Sequence, residues 1–468
     1  MVTLGLWIGR KNRNLADYVL GGKDLPWWAL LGSIVATETS TATFLSVPGI
    51  AYADGGNLCF LQLAFGYILG RCLVAYVLLP AYFRGEMLTA YEVLEHRFGG
   101  ATKRTASLLF LVARNLGDGL RLFLAAIALE MAIGVSMPVS IVIISVATIV
   151  YTFFGGMKSV VWNDCVQFVV YMAGGLIAFW IIISELPTGW EQFHAFAVEH
   201  GKLRMIDFSW DLTETYTFWA GLIGGTFLSF GTHGTDQMMV QRYLAARDRR
   251  DATRALLTSG FVVLIQFVVF LLLGVGLACF FAEFPPEVAL EKGDEALAAF
   301  IVDHMPIGLT GLTLAAVFAA AMSTLSSSLN SSATAAVNDF GPLFGTADMS
   351  PERRVNTCKL LTIVFGLIQV AVAIVAQWYS RSVVNDALAI AGFVAGILLG
   401  VFSLGVLTKW VRQWSALIGM LGGMAVVSYV KFGTDVAWPW FTVAGSVSTV
   451  AFGLLASLCE HFLRKQQT

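Results

Sequence analysis

The chain has 468 residues, of which 57% are hydrophobic and only 13% are charged, and its mean hydropathy is +0.75. Soluble proteins carry about 25% charged residues, so this composition excludes a soluble protein and indicates one that crosses a membrane many times. The net charge of −2 excludes a basic nucleic-acid surface, and six scattered cysteines show neither metal-ligand spacing nor a disulfide framework.

Twelve apolar segments are long enough to span a bilayer, which takes about 20 helical residues. They cover approximately residues 27–53, 57–80, 105–134, 138–156, 160–184, 216–237, 255–281, 308–337, 356–377, 384–408, 413–431 and 438–462. With both chain ends in the cytoplasm, most Lys and Arg residues fall on the inner side. The sequence therefore predicts an all-α integral membrane protein, with residues 1–25 as a cytoplasmic segment and 185–215 as an extracellular loop that holds a short surface helix.

The first span carries polar residues at mid-depth, in the run Thr37 to Thr41 that contains Glu38. A charge at the bilayer centre costs about 2.5–3.5 kcal/mol, so Glu38 must face a cavity, an ion or a partner. Hydroxyl side chains compete for backbone hydrogen bonds and favour local unwinding, and unwound carbonyls at the midplane bind ions or substrates in transporters. A structural ion pair with a buried arginine is the alternative.

Arg114, Asp118 and Arg121 share one face of the third span, because they are spaced at i, i+4 and i+7. One aspartate leaves spare positive charge, which predicts either an ion pair with Glu38 or a bidentate contact with a substrate carboxylate. A purely structural network is the alternative.

The fifth and sixth spans contain two further aspartates. Asp164 could add one negative charge to a site of neutral oxygens, although a helix-end aspartate that faces water is the alternative. Glycines and hydroxyl side chains, including Thr232, weaken the sixth span, and Asp236 follows at its inner mouth. A structural role explains His233 better than metal binding does.

Two interrupted spans that stand five helices apart indicate an inverted repeat with a central site. The halves would be residues 26–184 and 216–408, followed by two peripheral helices in 409–468. In the eighth span, a continuous polar stripe predicts either close helix packing or a site for a hard cation. The stripe consists of Ser323, Ser326, Ser327, Asn330, Ser331 and Thr334.

Five motifs, in collinear order between Asp17 and Gly423, resemble the sodium:solute symporter family. They are DYVLGGKDLPWW, YTFFGGMKSVVWNDCVQ, GTDQMMVQRYL, MSTLSSSLNSSAT and SALIGMLGG. The resemblance implies a leucine-transporter-type fold, with a 5+5 inverted-repeat core, broken first and sixth core helices and two added C-terminal helices.

The resemblance also implies where sodium binds. The ligands of a first site would be the carbonyls of Ala36, Thr39 and Ala320 and the hydroxyls of Ser323 and Thr324. A second site, present in some members, would use Asp164, Ser323, Ser326 and Ser327. Each of these four side chains carries the oxygen that hard cations prefer, so two sodium ions per cycle is our hypothesis.

Three features depart from the family pattern. MVTLGLWIG matches only the last residues of the helix that precedes the core in most members, so either the chain is naturally short or its start lies upstream. Glu38 stands where proline transporters have an aspartate and where sugar and sialate transporters have a neutral residue, which argues against a sugar. Met238 replaces the gating tyrosine of sugar transporters.

The sequence thus predicts a secondary active transporter, not an enzyme, that couples sodium to uptake of a small polar organic solute by alternating access. Na+ would be the coupling ion, without an organic cofactor, and the solute would be an amino acid, an organic acid or a sugar. We expect a monomer in a bacterial inner membrane with a cytoplasmic C-terminus. Substrate contacts are expected at Glu38, Ser40, Thr43, Gln62, Phe65, Arg121, Thr232 and Asp236.

Two alternatives remain open from the sequence. One is a proton-coupled or cation-assisted transporter of the same fold that uses Glu38 or Asp164. The other is a membrane solute sensor.

Overall fold

The structure is a computed structural model that describes residues 15–465, except residues 41, 86, 287–289, 291, 307, 344–348 and 380–382. Within these residues the protein is helical, and the one β-type pairing is an isolated bridge between Leu25 and Ala246. The all-α prediction is therefore confirmed. The segment MVTLGLWIG lies outside the described residues.

The helices follow one another along the chain with short connections. They are α1 (Leu15–Leu20), α2 (Trp27–Glu38), α3 (Val47–Tyr52), α4 (Leu61–Leu73), α5 (Leu79–Tyr82), α6 (Glu92–Phe98), α7 (Gly100–Ile133), α8 (Met137–Glu185), α9 (Trp190–Glu199), α10 (Gly225–Thr235), α11 (Gln237–Leu244), α12 (Arg249–Glu283), α13 (Gly293–Asp303), α14 (Leu309–Asp339), α15 (Pro351–Tyr379), α16 (Val383–Leu407), α17 (Gln413–Gly433) and α18 (Pro439–Lys465). Helix α9 is the short surface helix expected in the extracellular loop.

The first predicted span bends at the end of α2. In a continuous helix the Ser40 N–H would donate to the Ala36 carbonyl, but it donates to the Glu38 carbonyl at 3.1 Å. A π-helical turn, Ala42–Ser46, then leads into α3, and the segments before and after the bend meet at 67°. The bend therefore removes the usual helical donor from the Ala36 carbonyl.

The sixth predicted span is interrupted at Asp236, between α10 and α11. Asp236 has an extended backbone (φ −77°, ψ 123°), and its carboxylate accepts a hydrogen bond from the Met238 N–H at 2.8 Å. An aspartate at this position satisfies a free N–H group at the start of a helix. Asp236 thus ends α10 and begins α11.

The predicted spans 138–156 and 160–184 are two helices, numbered together as α8, that are separated by the non-helical backbone of Gly156. The backbone of Gly156 (φ 64°, ψ −170°) lies in a region that is essentially restricted to glycine. The turn at Gly156 brings both parts of α8 against α14, since Tyr151 donates to the Met322 carbonyl at 2.7 Å and Ser323 donates to Asp164 at 2.6 Å.

Eight described helices are long and apolar enough to cross a membrane, and nine if α2 and Thr43–Tyr52 count as one bent span. The sequence predicts twelve, and three differences account for this. Helix α8 is counted once although it contains two predicted spans separated at Gly156, α10 is only 11 residues long, and α7 carries Arg114, Asp118 and Arg121 near its middle.

The polar stripe of α14 lies entirely inside the protein. Each of its six members is 3% exposed or less, and Leu325 and Leu329 on the other faces are equally buried. Neither water nor lipid reaches this part of α14. Its hydroxyl groups must therefore bond to the protein or to a bound ion, because an unsatisfied buried polar group is costly.

Helix α4 packs backbone to backbone against the chain just before and within α10. Gly66 and Gly70 are four residues apart and so share a face of α4, and Gly221 and Gly225 repeat this spacing. A Cβ atom on Gly66 would lie 2.2 Å from the Gly221 carbonyl oxygen. This close contact holds α4 beside the interruption at Asp236.

We expect Gly66→Ala to lower the melting temperature of the detergent-purified protein, because an added methyl group in a tightly packed contact costs about 1–3 kcal/mol. Gly311→Ala is the matched control, since a Cβ there meets no atom within 4 Å and alanine favours helix over glycine. An unchanged or higher melting temperature for Gly66→Ala would contradict the close packing.

Candidate functional site

The carboxylate of Asp164 in α8 lies fully buried where α2, α8 and α14 meet. Ser33 donates to its Oδ2 at 2.5 Å, and Ser323 donates to its Oδ1 at 2.6 Å. The hydroxyl of Thr37 lies 3.3 Å from Oδ2 and 3.2 Å from the hydroxyl of Ser327. Burial excludes the alternative that Asp164 faces water, and the cluster unites three residues predicted for the second sodium site.

Arg242 of α11 inserts its guanidinium into the same cluster. Its Nη2 lies 3.1 Å from Asp164 Oδ2, and its Nε donates to the Ser33 hydroxyl at 2.8 Å. Nη2 also donates to the hydroxyls of Thr37 and Ser327. The Arg242 and Asp164 side chains are 1% and 0% exposed, so the pair is shielded from solvent.

The fourth residue predicted for the second sodium site, Ser326, stands apart from this cluster. Its hydroxyl donates to the Ser323 carbonyl of its own helix at 3.1 Å. The structure therefore brings Asp164, Ser323 and Ser327 into contact with a common set of groups, and Ser326 lies beside them.

The residues predicted for the first sodium site lie at the end of α2 and in the middle of α14. Thr324 donates to the Thr37 carbonyl at 3.1 Å, which ties α14 to the end of α2. Thr39 follows α2 directly, with its hydroxyl 2.9 Å from Gln266 Oε1 of α12. Ala36 contributes the carbonyl that the bend deprives of its helical donor. The remaining predicted ligands, Ala320 and Ser323, belong to the uninterrupted helix α14.

Glu38 forms an ion pair with Arg71 of α4, whose side chain is fully buried. Arg71 Nη2 also lies 3.1 Å from His233 Nε2, and His233 Nδ1 lies 2.9 Å from the Tyr243 hydroxyl. The ion pair with a buried arginine that the sequence offers as an alternative for Glu38 is therefore present, and Glu38 also borders the cavity described below. Its partner is an arginine of α4, and the predicted pairing with a spare arginine of the third span is wrong.

The arginines of α7 carry no surplus charge. Asp118 accepts two hydrogen bonds from Arg114, both at 2.6 Å, and one from Arg121 at 2.5 Å. Asp236 lies 3.3 Å from Arg114 and supplies the second carboxylate. The predicted excess of positive charge is therefore wrong. Nevertheless, Arg121 Nε makes no hydrogen bond within the described residues, which leaves it available to a solute.

A cavity lies beside Glu38, Arg114, Arg121 and Asp236. It is bordered by aromatic side chains and by six of the residues predicted to bind substrate, namely Glu38, Ser40, Thr43, Arg121, Thr232 and Asp236. The aromatic residues are Phe60, Tyr67, Phe110 and Phe267.

Two predicted substrate residues lie away from the cavity. Gln62 is buried against the segment between α9 and α10, where its amide donates to the Tyr216 carbonyl at 2.9 Å and accepts from the Asp207 N–H at 3.0 Å. Phe65 is 43% exposed on the outer face of α4. These positions follow from the rotation of α4, which turns Tyr67 and Arg71 inward instead.

Lys202, outside the membrane-spanning helices, secures the outer end of α3. Its ammonium donates to the carbonyls of Ala51 at 2.9 Å, Ala53 at 3.0 Å and Tyr52 at 3.2 Å. A cation at a helix C-terminus satisfies free carbonyls and offsets the helix dipole. Burial lowers the pKa of Lys202 below its usual value. The segment that follows α9 thus anchors the second half of the first span.

Sequence reasoning missed Arg71, Ser33 and the inward position of Arg242. The signal for Arg71 was available, because an ionisable residue inside a span requires a partner or a function. Ser33 lies four residues before Thr37 and so shares its helix face. Arg242 carries no such signal, since an arginine at the inner end of a span is ordinary.

The model of the sodium:solute symporter family matches residues 18–423. The chain is 30% identical over 462 residues to the sodium/sialic acid symporter SiaT of Proteus mirabilis (strain HI4320), covering 98% of this chain and 92% of that one. It is 29% identical over 454 residues to the sodium/iodide cotransporter of Homo sapiens, covering 93% of this chain and 68% of that one.

Solved structures give the same result for the fold. A Na+-coupled sialic acid symporter in a substrate-bound outward-open state matches with a TM-score of 0.90 at 29% identity, covering 98% of this chain and 95% of that one. A nucleobase-cation-symport-1 family transporter matches with a TM-score of 0.60 at 15% identity, covering 95% and 94%, and shares the fold. Because the family model matches most of its length, the chain belongs to the sodium:solute symporter family.

Proposed function

We propose that the protein couples the entry of two sodium ions to the uptake of one small polar organic solute that carries a carboxylate. Sodium-coupled symport by alternating access is the activity of its family, whereas the ion number, the ligands and the solute class are proposals. The observation that carries the proposal is the junction at Asp164. There, hydroxyl groups from α2 and α14 surround a buried carboxylate.

The first ion would bind where α2 ends. The carbonyls of Ala36, Thr39 and Ala320 and the hydroxyls of Ser323 and Thr324 would coordinate it. Support comes from the bend after Glu38, which removes the helical donor from the Ala36 carbonyl. Carbonyl and hydroxyl oxygens are the ligands that hard cations prefer, so this donor set fits sodium.

The second ion would bind at Asp164, Ser323, Ser326 and Ser327. Asp164 supplies the negative charge that neutral hydroxyl groups lack, and Ser323 would serve both ions. Burial of all four side chains supports this assignment, because a cation site must exclude bulk water.

The architecture that we propose has twelve spans, with first and sixth core helices that are broken. The inverted repeats would be residues 26–184 and 216–408, joined by the extracellular segment 185–215, and residues 409–468 would add two peripheral helices. The 67° bend after α2 and the extended backbone of Asp236 support this division. The protein would act as a monomer in a bacterial inner membrane, with a cytoplasmic C-terminus.

The solute would bind in the cavity next to both ion sites. Arg121 borders the cavity and retains a buried N–H donor, which suits a carboxylate. The two relatives described above are named for sialic acid and iodide, which are both anions at neutral pH. Glu38, Ser40, Thr43, Thr232 and Asp236 would contact the polar groups of the solute.

Solute binding should require sodium. We expect sialic acid, a short monocarboxylate or a zwitterionic amino acid to raise the melting temperature in NaCl but not in choline chloride, because a bound ligand at about 100 times its Kd adds about 2.7 kcal/mol. Uptake of that solute into proteoliposomes should then fall to background when potassium or choline replaces sodium. Equal uptake in all three salts would contradict sodium coupling.

The two ion sites share Ser323 but not Ser327. We therefore expect Ser323→Ala to weaken both sodium ions and Ser327→Ala to weaken only the second, each by about tenfold, since a hydrogen-bonding or ligand group is worth about 1.5 kcal/mol. Isothermal titration calorimetry with NaCl measures both Kd values.

Ser331→Ala is the matched control for these variants, because the Ser331 hydroxyl donates to the Ser328 carbonyl of its own helix. If Ser323→Ala altered only one ion, the shared ligand would be wrong.

Proton coupling through Glu38 is the alternative function, favoured by the 3.6 Å separation of Glu38 from His233. We expect Glu38→Gln to keep its sodium dependence and its pH profile of uptake. It should lose a few kcal/mol of stability, because it leaves Arg71 buried without a carboxylate. The double variant Glu38→Gln/Arg71→Gln should recover part of that loss. Uptake that depends on a pH gradient in the wild type and not in Glu38→Gln would favour proton coupling.

A further inference from the structure

The guanidinium of Arg242 lies among the oxygens that would receive the second sodium ion. Of its three nitrogens, Nε donates to Ser33 and Nη2 donates to Asp164, Thr37 and Ser327. These partners are one carboxylate and three hydroxyls, a donor set that also suits a hard cation. The guanidinium of Arg242, a cation that belongs to the protein itself, therefore already occupies this cluster.

Charge balance allows one cation in this cluster. Asp164 is the carboxylate that contacts Arg242 within the described residues, and both side chains are buried. A sodium ion added beside the guanidinium would place two positive charges on one carboxylate without water to screen them. The ion and the guanidinium also need the same oxygen lone pairs of Asp164 and Ser327.

Arg242 also links this cluster to its own helix, α11. Its Nη1 donates to the Met238 carbonyl at 2.5 Å, so the guanidinium is braced against its own helix, α11. The neighbouring Gln241 donates to the Val19 carbonyl of α1 at 2.7 Å. Helix α11 follows the interruption at Asp236, and its side-chain hydrogen bonds to α2 and α8 are those of Arg242 to Ser33, Thr37 and Asp164. Withdrawal of the guanidinium would therefore remove these hydrogen bonds and loosen α11.

We propose that Arg242 and the second sodium ion compete for the Asp164 cluster. Sodium enters when the guanidinium leaves, which frees α11, and the return of the guanidinium expels the ion. This inference rests on the second sodium site of the proposed function. It assigns to Arg242 a positioning role, in which the release of the ion is coupled to the docking of α11, the inner half of the sixth span.

Sodium affinity of Arg242→Gln tests the competition. In calorimetric titrations of the nanodisc-embedded protein with NaCl, we expect the second ion to bind about 5- to 150-fold more tightly than in the wild type, the usual range of coupling between sites. Arg242→Lys, which keeps the cation, should stay close to the wild type. Arg250→Gln is the matched control, because Arg250 is exposed, and should leave the affinity unchanged.

Thermal unfolding gives a second readout that does not depend on calorimetry. Arg242→Gln leaves Asp164 without its cation, so its melting temperature should rise more steeply with NaCl than that of the wild type, and not with choline chloride. The double variant Arg242→Gln/Asp164→Asn should lose both the tighter sodium binding and the steeper rise of the melting temperature with NaCl. An unchanged or weaker sodium affinity in Arg242→Gln, or an unchanged salt dependence of its melting temperature, would overturn the competition.

The wild type and Asp164→Asn distinguish this failure from a failure of the proposed function. If both bind the same number of sodium ions, the second site itself is wrong. If Asp164→Asn loses one ion and Arg242→Gln gains no affinity, the second site stands and only the competition is overturned.

Discussion

The centre of this protein is governed by charge pairing, because a bilayer offers no water to solvate an isolated ion. Within the described residues, the buried charges at the cavity form three balanced clusters. They are Glu38 with Arg71, Asp118 and Asp236 with Arg114 and Arg121, and Asp164 with Arg242. Each cluster joins helices that are distant in the chain. Glu38 lies next to the bend after α2 and Asp236 lies at the break before α11, so two of the three clusters hold a helix interruption in place.

The hydroxyl groups in the polar stripe of α14 have two kinds of hydrogen-bond partner, which the residue types alone do not distinguish. Ser323 and Ser327 turn toward the Asp164 cluster and bond to other helices. Ser326 and Ser331 donate to carbonyls of α14 itself, where small side chains allow neighbouring helices to approach. Hydroxyl groups that bond to other helices and hydroxyl groups that bond to α14 itself are therefore mixed along one helix.

The family resemblance implied the meeting of Asp164 with Ser323, and sequence patterns predicted the positions of the helices, because hydrophobic length is a local property. They did not predict that Arg71 pairs with Glu38 or that Phe65 faces outward, because both depend on the rotation of α4. That rotation is fixed by the contact of Gly66 with Gly221, which lies 155 residues further along the chain. The charge balance of α7 depends likewise on Asp236, a residue of another helix.

Balanced clusters have an electrical consequence. Moving one elementary charge across a membrane potential of 100 mV changes its free energy by about 2.3 kcal/mol. A carrier whose buried acidic and basic side chains cancel feels little of this force when it turns over unloaded. The membrane voltage then acts almost entirely on the cargo, so that two sodium ions with one monoanion would carry a single net positive charge inward per cycle. Because the ion pairs that stabilise the fold cancel the buried charge of the protein, the charge of the transported ions determines how the membrane voltage affects the direction of transport.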